Sequence, residues 1–170
     1  MLRRMNTRNW KMTLAGACVA CACGLIAWKF AWATPPTAPP GFVSTSLVGP
    51  VVLDEIDTKA ETDHWEIELK TKGFSDVYVT NFKIQPGAHG GWHSHPGPSI
   101  ISVKSGTATF YDECDGALIP HSFPAGTGFV EDAGCVHILK NEGTTELEVI
   151  VMQIVPLGAP RRIDEPAPAP

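Results

Sequence analysis

Three histidines carry the chemistry this chain could do. His93 and His95 stand two apart within PGAHGGWHSHPGPSIISVKSG, residues 86–106. On an extended strand, residues i and i+2 project from one face about 7 Å apart, so two imidazoles at that spacing can grip one ion. Two ligands rarely hold a metal, and His137 in GTGFVEDAGCVHILKN supplies a third. Gly134 permits a tight turn before it, and the apolar run after it reads as a buried strand. Three protein ligands leave a coordination position open, as in catalytic rather than closed structural centres. Imidazole suits zinc, copper, iron and nickel alike, so the donors do not choose the metal.

The other titratable residues are weaker candidates. His89 precedes His93 by four residues and reads as a rim residue that could shuttle protons at a cavity mouth. Glu131 could act as a general base, although a carboxylate beside Asp132 in a turn is more often solvated. His64 and His121 lie in polar surroundings and read as surface. Trp92 has the opposite strand parity to His93 and reads as a packing residue. Gly90-Gly91 gives the chain room to turn into the strand; with no strand-to-helix context it is not a phosphate cradle.

The two histidine-bearing stretches resemble the two motifs of the cupin superfamily. The first pattern, G-x5-H-x-H-x3-E-x6-G, is matched by Gly87, His93, His95 and Gly106, and the second, G-x5-P-x-G-x2-H-x3-N, by Gly126, Gly134, His137 and Asn141. Two positions depart from it: Ser99 occupies the glutamate slot and Asp132 the proline slot. The resemblance implies an all-β fold, the double-stranded β-helix or jelly-roll barrel, as a single domain with the histidines turned into its cavity. It also implies a divalent transition metal, Fe, Mn, Ni, Cu, Co or Zn, on His93, His95 and His137. Ser99 is a degenerate ligand position, and an ion lacking the carboxylate would keep its full charge and favour anionic ligands. Three-histidine dioxygenases occur in this superfamily, so the first functional expectation is oxidative cleavage of a small organic substrate. The second is a non-catalytic cupin that captures a metal or small ligand outside the cytoplasm. Pairing through an outer sheet into a homodimer is a further family-level expectation.

Residues 1–33 differ in kind from the rest. Arg3, Arg4, Arg8 and Lys11 precede an apolar stretch from Met12 to Trp28, and Ala31-Trp32-Ala33 offers a small-x-small cleavage site. This reads as a secretory signal peptide, with a periplasmic or secreted product; an uncleaved segment acting as a membrane tether is the alternative. Cys18, Cys21 and Cys23 lack the preceding leucine expected of a lipid-attachment site, and Arg3-Arg4 has poor context for twin-arginine export. No acidic residue precedes Asp54, so removing the leader leaves eight basic against 18 acidic residues. Such an acidic chain has no stretch suited to nucleic acid. The two remaining cysteines, Cys114 and Cys135, form an even pair that can bridge in an oxidising compartment. Two buried thiols, or Cys135 reaching the metal, are the alternatives.

The pattern beyond the leader is one of short strands. A Pro-rich linker is expected over 34–44, the barrel over 45–158 and a Pro-rich tail over 159–170. Val43–Leu53 reads as one or two strands broken at Gly49-Pro50, and 54–64 as an acidic surface loop. Residues 65–70 and 76–84 alternate with period two, each with one face in the core. Residues 99–103 and 107–111 read as a hairpin turning at Lys104-Ser105-Gly106, residues 118–123 as a weak strand, and 146–155 as the central strand.

Overall fold

The computed structural model describes residues 33–114 and 118–169. The expected signal peptide, with Cys18, Cys21 and Cys23, lies outside the described residues apart from Ala33. All twelve elements are strands: β1 (Phe42–Leu53), β2 (Asp57–Thr62), β3 (Trp65–Lys70), β4 (Ser75–Ile84), β5 (His93–Ser94), β6 (Ser99–Ser105), β7 (Thr107–Asp112), β8 (His121–Pro124), β9 (Gly128–Glu131), β10 (His137–Lys140), β11 (Leu147–Pro156) and β12 (Ile163–Asp164).

They form two five-stranded antiparallel sheets, ordered β1-β4-β11-β6-β9 and β12-β5-β10-β7-β8, plus the ribbon β2-β3. Ile84, Ile101, Val103, Leu147, Val149 and Val151 of the first sheet share one buried cluster with Ala108 and Leu139 of the second. This is the jelly-roll barrel. β11 is central in its sheet because its β-branched run is apolar on both faces: Val149, Val151 and Val155 are buried, and Ile150, Met152 and Ile154 are half-buried between them.

The structure corrects the expected hairpin over 99–111. β6 pairs with β11 and β9 while β7 pairs with β10 and β8, so the chain changes sheets at Gly106. Gly106 has φ +76°, and a Cβ there would come 2.7 Å from the Glu146 carbonyl oxygen. Two alternating runs joined by a turn look the same whether they pair or part, because the period reports burial rather than partner.

Residues 54–64 are not wholly loop either, since β2 pairs with β3 in register from Asp57↔Lys70 to Thr62↔Trp65. β3 does alternate, but its apolar residues do not enter the core: Trp65, Ile67 and Leu69 are exposed, and every residue of the ribbon is open to solvent. β1 is a single strand across Gly49-Pro50, with register shifts between Ser46 and Val51.

Both Pro-rich ends are fastened to the barrel. Thr34 N–H donates to the Glu165 carbonyl, Thr37 N–H to the His89 carbonyl, and Thr34 Oγ1 accepts from Trp92 N–H. In the tail, β12 pairs with β5, the strand that carries His93. Proline-rich composition marks a lack of helix and ladder, and these segments instead spend their few donors on fixed carbonyls beside the site.

Candidate metal centre

His93 opens β5 and His137 opens β10, and the two are cross-strand partners. His95 follows β5 directly. Their ring centroids lie 4.4 Å (His93–His137), 4.7 Å (His95–His137) and 5.9 Å (His93–His95) apart. One ligand nitrogen from each lies within 4.8 Å of the other two. His95 and His137 are fully buried and His93 is partly so.

Each ring is turned by the backbone. Nδ1 of His93 donates to the Gly91 carbonyl at 2.9 Å, Nδ1 of His95 to that of Gly97 at 2.7 Å, and Nδ1 of His137 to that of Cys135 at 2.8 Å. A carbonyl only accepts, so each ring carries a proton on Nδ1 and turns its Nε2 toward the other two as the atom that can ligate. Tight backbone makes these contacts possible. Gly91 has φ +73°, and a Cβ there would lie 2.1 Å from the Thr34 carbonyl oxygen. Gly97 leaves no room for one either, at 1.9 Å from the Ile154 carbonyl oxygen.

The donor set fits a metal. Nε2 of His137 is buried with no hydrogen-bond partner among the described residues, a cost that a bound ion removes. Burial lowers the pKa of His93 to about 3, helped by the nearby positive charges of His137 and Arg162. Burial also lowers that of His137. Both rings are therefore neutral near pH 7, the form that ligates.

Glu131, weighed from the sequence as a general base or a solvated turn carboxylate, stands in front of these nitrogens. Glu131, at the end of β9, is buried, with Oε2 3.0 Å from His95 Nε2 and Oε1 3.6 Å from His137 Nε2. Burial pushes its carboxyl pKa up, but the hydrogen bond from His95 and the charges of the three histidines outweigh that and hold it below the ordinary value. The solvated turn carboxylate expected at this position is thus corrected. A signal was present: in GFVE, Val130 is 55% exposed, while Phe129 and Glu131 share the inward parity. Ser99 is the register partner of Glu131, and its Oγ lies 3.1 Å from His95 Nε2.

A cavity of about 270 Å³ opens beside the imidazoles, and its lining includes His93, Glu131, Phe42, Phe82, Leu139 and Val151. Arg161 and Arg162, in a tail segment without periodic pattern, line it too. Arg161 is spent on Gln153 Oε1, with contacts of 3.0 and 2.8 Å. Arg162 donates through Nε to Asp164, while its Nη2 is buried with no partner among the described residues.

The remaining candidates lie elsewhere. His89 is half-buried, its Nδ1 accepts from Gly91 N–H, and it is not among the residues lining this cavity. Cys114 and Cys135 are joined in a disulfide, so the Cys135 thiol is no ligand. His64, His121 and Asp132 are exposed, and Trp92 is half-buried. A second cavity of about 220 Å³, lined by Phe110, Phe123, Phe129 and Cys135 among others, includes none of the three histidines.

Residues 80–153 match the family model of the Cupin_2 cupin domain. No curated protein sequence matches the chain significantly. Similar solved structures include a conserved protein of unknown function from Streptococcus pyogenes, at 18% identity and a TM-score of 0.47, covering 70% of this chain and 78% of that one. A cupin superfamily protein from Desulfitobacterium hafniense aligns at 10% identity and a TM-score of 0.46, covering 71% and 83%. A conserved protein with a double-stranded β-helix domain from Klebsiella pneumoniae aligns at 24% identity and a TM-score of 0.45, covering 66% and 85%. The matched segment runs from within β4 into β11 and holds all three imidazoles, so residues 80–153 are what resembles a cupin domain.

Proposed function

We propose that this protein is an exported cupin that holds one divalent transition metal on His93, His95 and His137 and performs dioxygenase-like oxidation of a small organic anion. The observation that carries the reading is the convergence of three imidazoles, one of which, His93, lines a cavity that Arg162 also lines, the Arg162 Nη2 being buried without a partner among the described residues. Export rests on the basic-apolar leader and agrees with the disulfide, which oxidising compartments preserve.

A redox-active divalent ion bound there supplies Lewis acidity and one-electron chemistry toward dioxygen. The chain's own residues do the rest. The carbonyls of Gly91, Gly97 and Cys135 hold the rings in one tautomer and orientation. Phe42, Phe82, Leu139 and Val151 give the cavity apolar walls that exclude water and accept a hydrocarbon body. Nη2 of Arg162 binds a carboxylate or enolate oxygen by a charge-assisted hydrogen bond. Glu131 is committed to His95, so among the described residues no free acid and base face one another across the cavity. That weighs against isomerisation and in favour of oxidation.

Elemental analysis of the purified protein beside the His93→Ala/His95→Ala variant tests the site, and oxygen uptake with small enolic and phenolic acids tests the reaction. About one equivalent of metal, lost in the double variant, and substrate-dependent oxygen consumption are expected. Metal without oxygen consumption would replace the enzyme by a cupin that captures ligands. No metal after reductive reloading would overturn the reading.

A further inference from the structure

We propose that Glu131 is the fourth protein ligand of this metal, a carboxylate carried on β9 in place of the one the family motif puts on β6. The inference rests on the metal reading of the three histidines.

The argument starts from His95. Its Nδ1 is committed to the Gly97 carbonyl, so only Nε2 can bind an ion. Glu131 Oε2 lies 3.0 Å from that nitrogen, so an ion seated on Nε2 has a carboxylate oxygen beside it. A carboxylate as buried as Glu131 cannot be left without a positive partner except at large cost. An ion held by the three imidazoles is the partner at hand.

The distances agree. Two donors bound about 2.1 Å from one ion lie about 3.0–4.2 Å apart in tetrahedral or octahedral arrangements. The carboxylate oxygens stand 3.0 Å from His95 Nε2 and 3.6 Å from His137 Nε2, so both separations fall in that interval.

Strand register explains how the chain can move a ligand this way. Ser99 holds the motif position of the missing glutamate and is the Cα partner of Glu131. Partners across an antiparallel pair point to the same side of the sheet, with Cβ atoms about 4.5–5.5 Å apart. A carboxylate on either residue can therefore reach the same nitrogens. On this assignment the ion would keep one negative ligand, in place of the fully charged centre with neutral ligands only that Ser99 suggests.

The test is a carboxylate transplant. Purified wild-type protein, Glu131→Gln, Glu131→Ala and the double variant Ser99→Glu/Glu131→Ala are titrated with Co(II) against a competing chelator, and the visible spectrum of the bound cobalt is recorded. Glutamine keeps an oxygen that can accept from His95, so a residue that only positioned the ring would leave affinity and spectrum unchanged. A ligand gives a loss of at least about 100-fold in affinity and a shifted cobalt spectrum in both single variants, larger than outer-partner losses. Recovery of most of that loss in the double variant supports the transplant. Glu131→Gln is nearly isosteric and carries the test if Glu131→Ala does not fold. Unchanged cobalt binding in Glu131→Gln overturns the assignment alone. No cobalt uptake by wild-type protein overturns the metal reading and this assignment together.

Discussion

The carbonyl of Cys135 accepts the Nδ1–H of His137 at 2.8 Å, and the sulfur of the same residue closes the disulfide to Cys114. One residue thus ties a ligand's orientation to a covalent link. The bridge closes a loop with a sequence separation of 21, worth about 3 kcal/mol by chain entropy. Cys114→Ser/Cys135→Ser should lower thermal stability by about 2–4 kcal/mol and weaken metal binding, because the carbonyl that aims His137 loses its anchor. Denaturant unfolding and chelator competition, with and without reductant, measure both. Unchanged metal affinity in a destabilised variant would uncouple the link from the ring.

Acid should unfold the metal-free protein over a defined window. His93 has its pKa lowered from 6.5 to about 3, and that of His137 is also lowered, both chiefly by burial. Between those values the unfolded chain binds more protons than the folded one, so stability falls as pH drops below 6.5 and is flat above it as far as these groups are concerned. Glu131, also held below its ordinary 4.5, adds to the slope at lower pH. The slope per group cannot exceed about 1.4 kcal/mol per pH unit. Urea midpoints from pH 7.5 to 4 measure it, and bound metal should shift the fall to lower pH. A midpoint that rises on acidification would contradict the neutral, buried rings.

Arg162 separates ligand capture from metal capture. Its Nη2 is buried without a partner among the described residues, while its side chain as a whole is 28% exposed. Arg162→Met should therefore fold and bind metal normally. A hydrogen bond to a charged group contributes about 1.5–3 kcal/mol, so small carboxylates should bind roughly 10–150-fold more weakly, as read by calorimetry or by KM. Equal binding of a carboxylate and its amide by the wild type would remove the anion site.

Gly91→Ala should disturb both the strap from residues 34–37 and the aim of His93. The added Cβ would meet the Thr34 carbonyl oxygen at 2.1 Å, and the Gly91 carbonyl holds His93 Nδ1. A loss of about 1–3 kcal/mol of stability together with weaker metal binding is expected. Gly73→Ala is the control, since it also has positive φ but no atom within 4 Å of the added Cβ. It should cost backbone strain and leave metal affinity alone.

The histidines were readable from sequence because i, i+2 spacing and motif gaps survive translation into a sheet. The central place of β11 was readable for a similar reason, an apolar run on both faces. What could not be read was partnership. Residues 99–111 look like a hairpin, yet β6 and β7 enter different sheets, because alternation records burial and not neighbours. The same limit hid the place of Glu131, a weak candidate from sequence: the empty glutamate slot at Ser99 is visible in the motif, but only the β6-β9 register puts a carboxylate opposite it. Arg161 and Arg162 belong to a tail whose composition says nothing of the β12-β5 pairing beside them. Trp65, Ile67 and Leu69 show the reverse case, an alternating strand that extends away from any core.

The pairing of β12 with β5 also separates the pocket from the core. Residues 161–165 follow β1 to β11 in the chain, yet they supply two arginines of the cavity, the ladder beside His93 and, through Glu165, acceptors for Ser94 and Thr34. The apolar cluster shared by the two sheets draws on none of them. What holds the barrel together and what finishes its pocket thus lie in different parts of the chain, and β12 with its two arginines acts as a latch on the site.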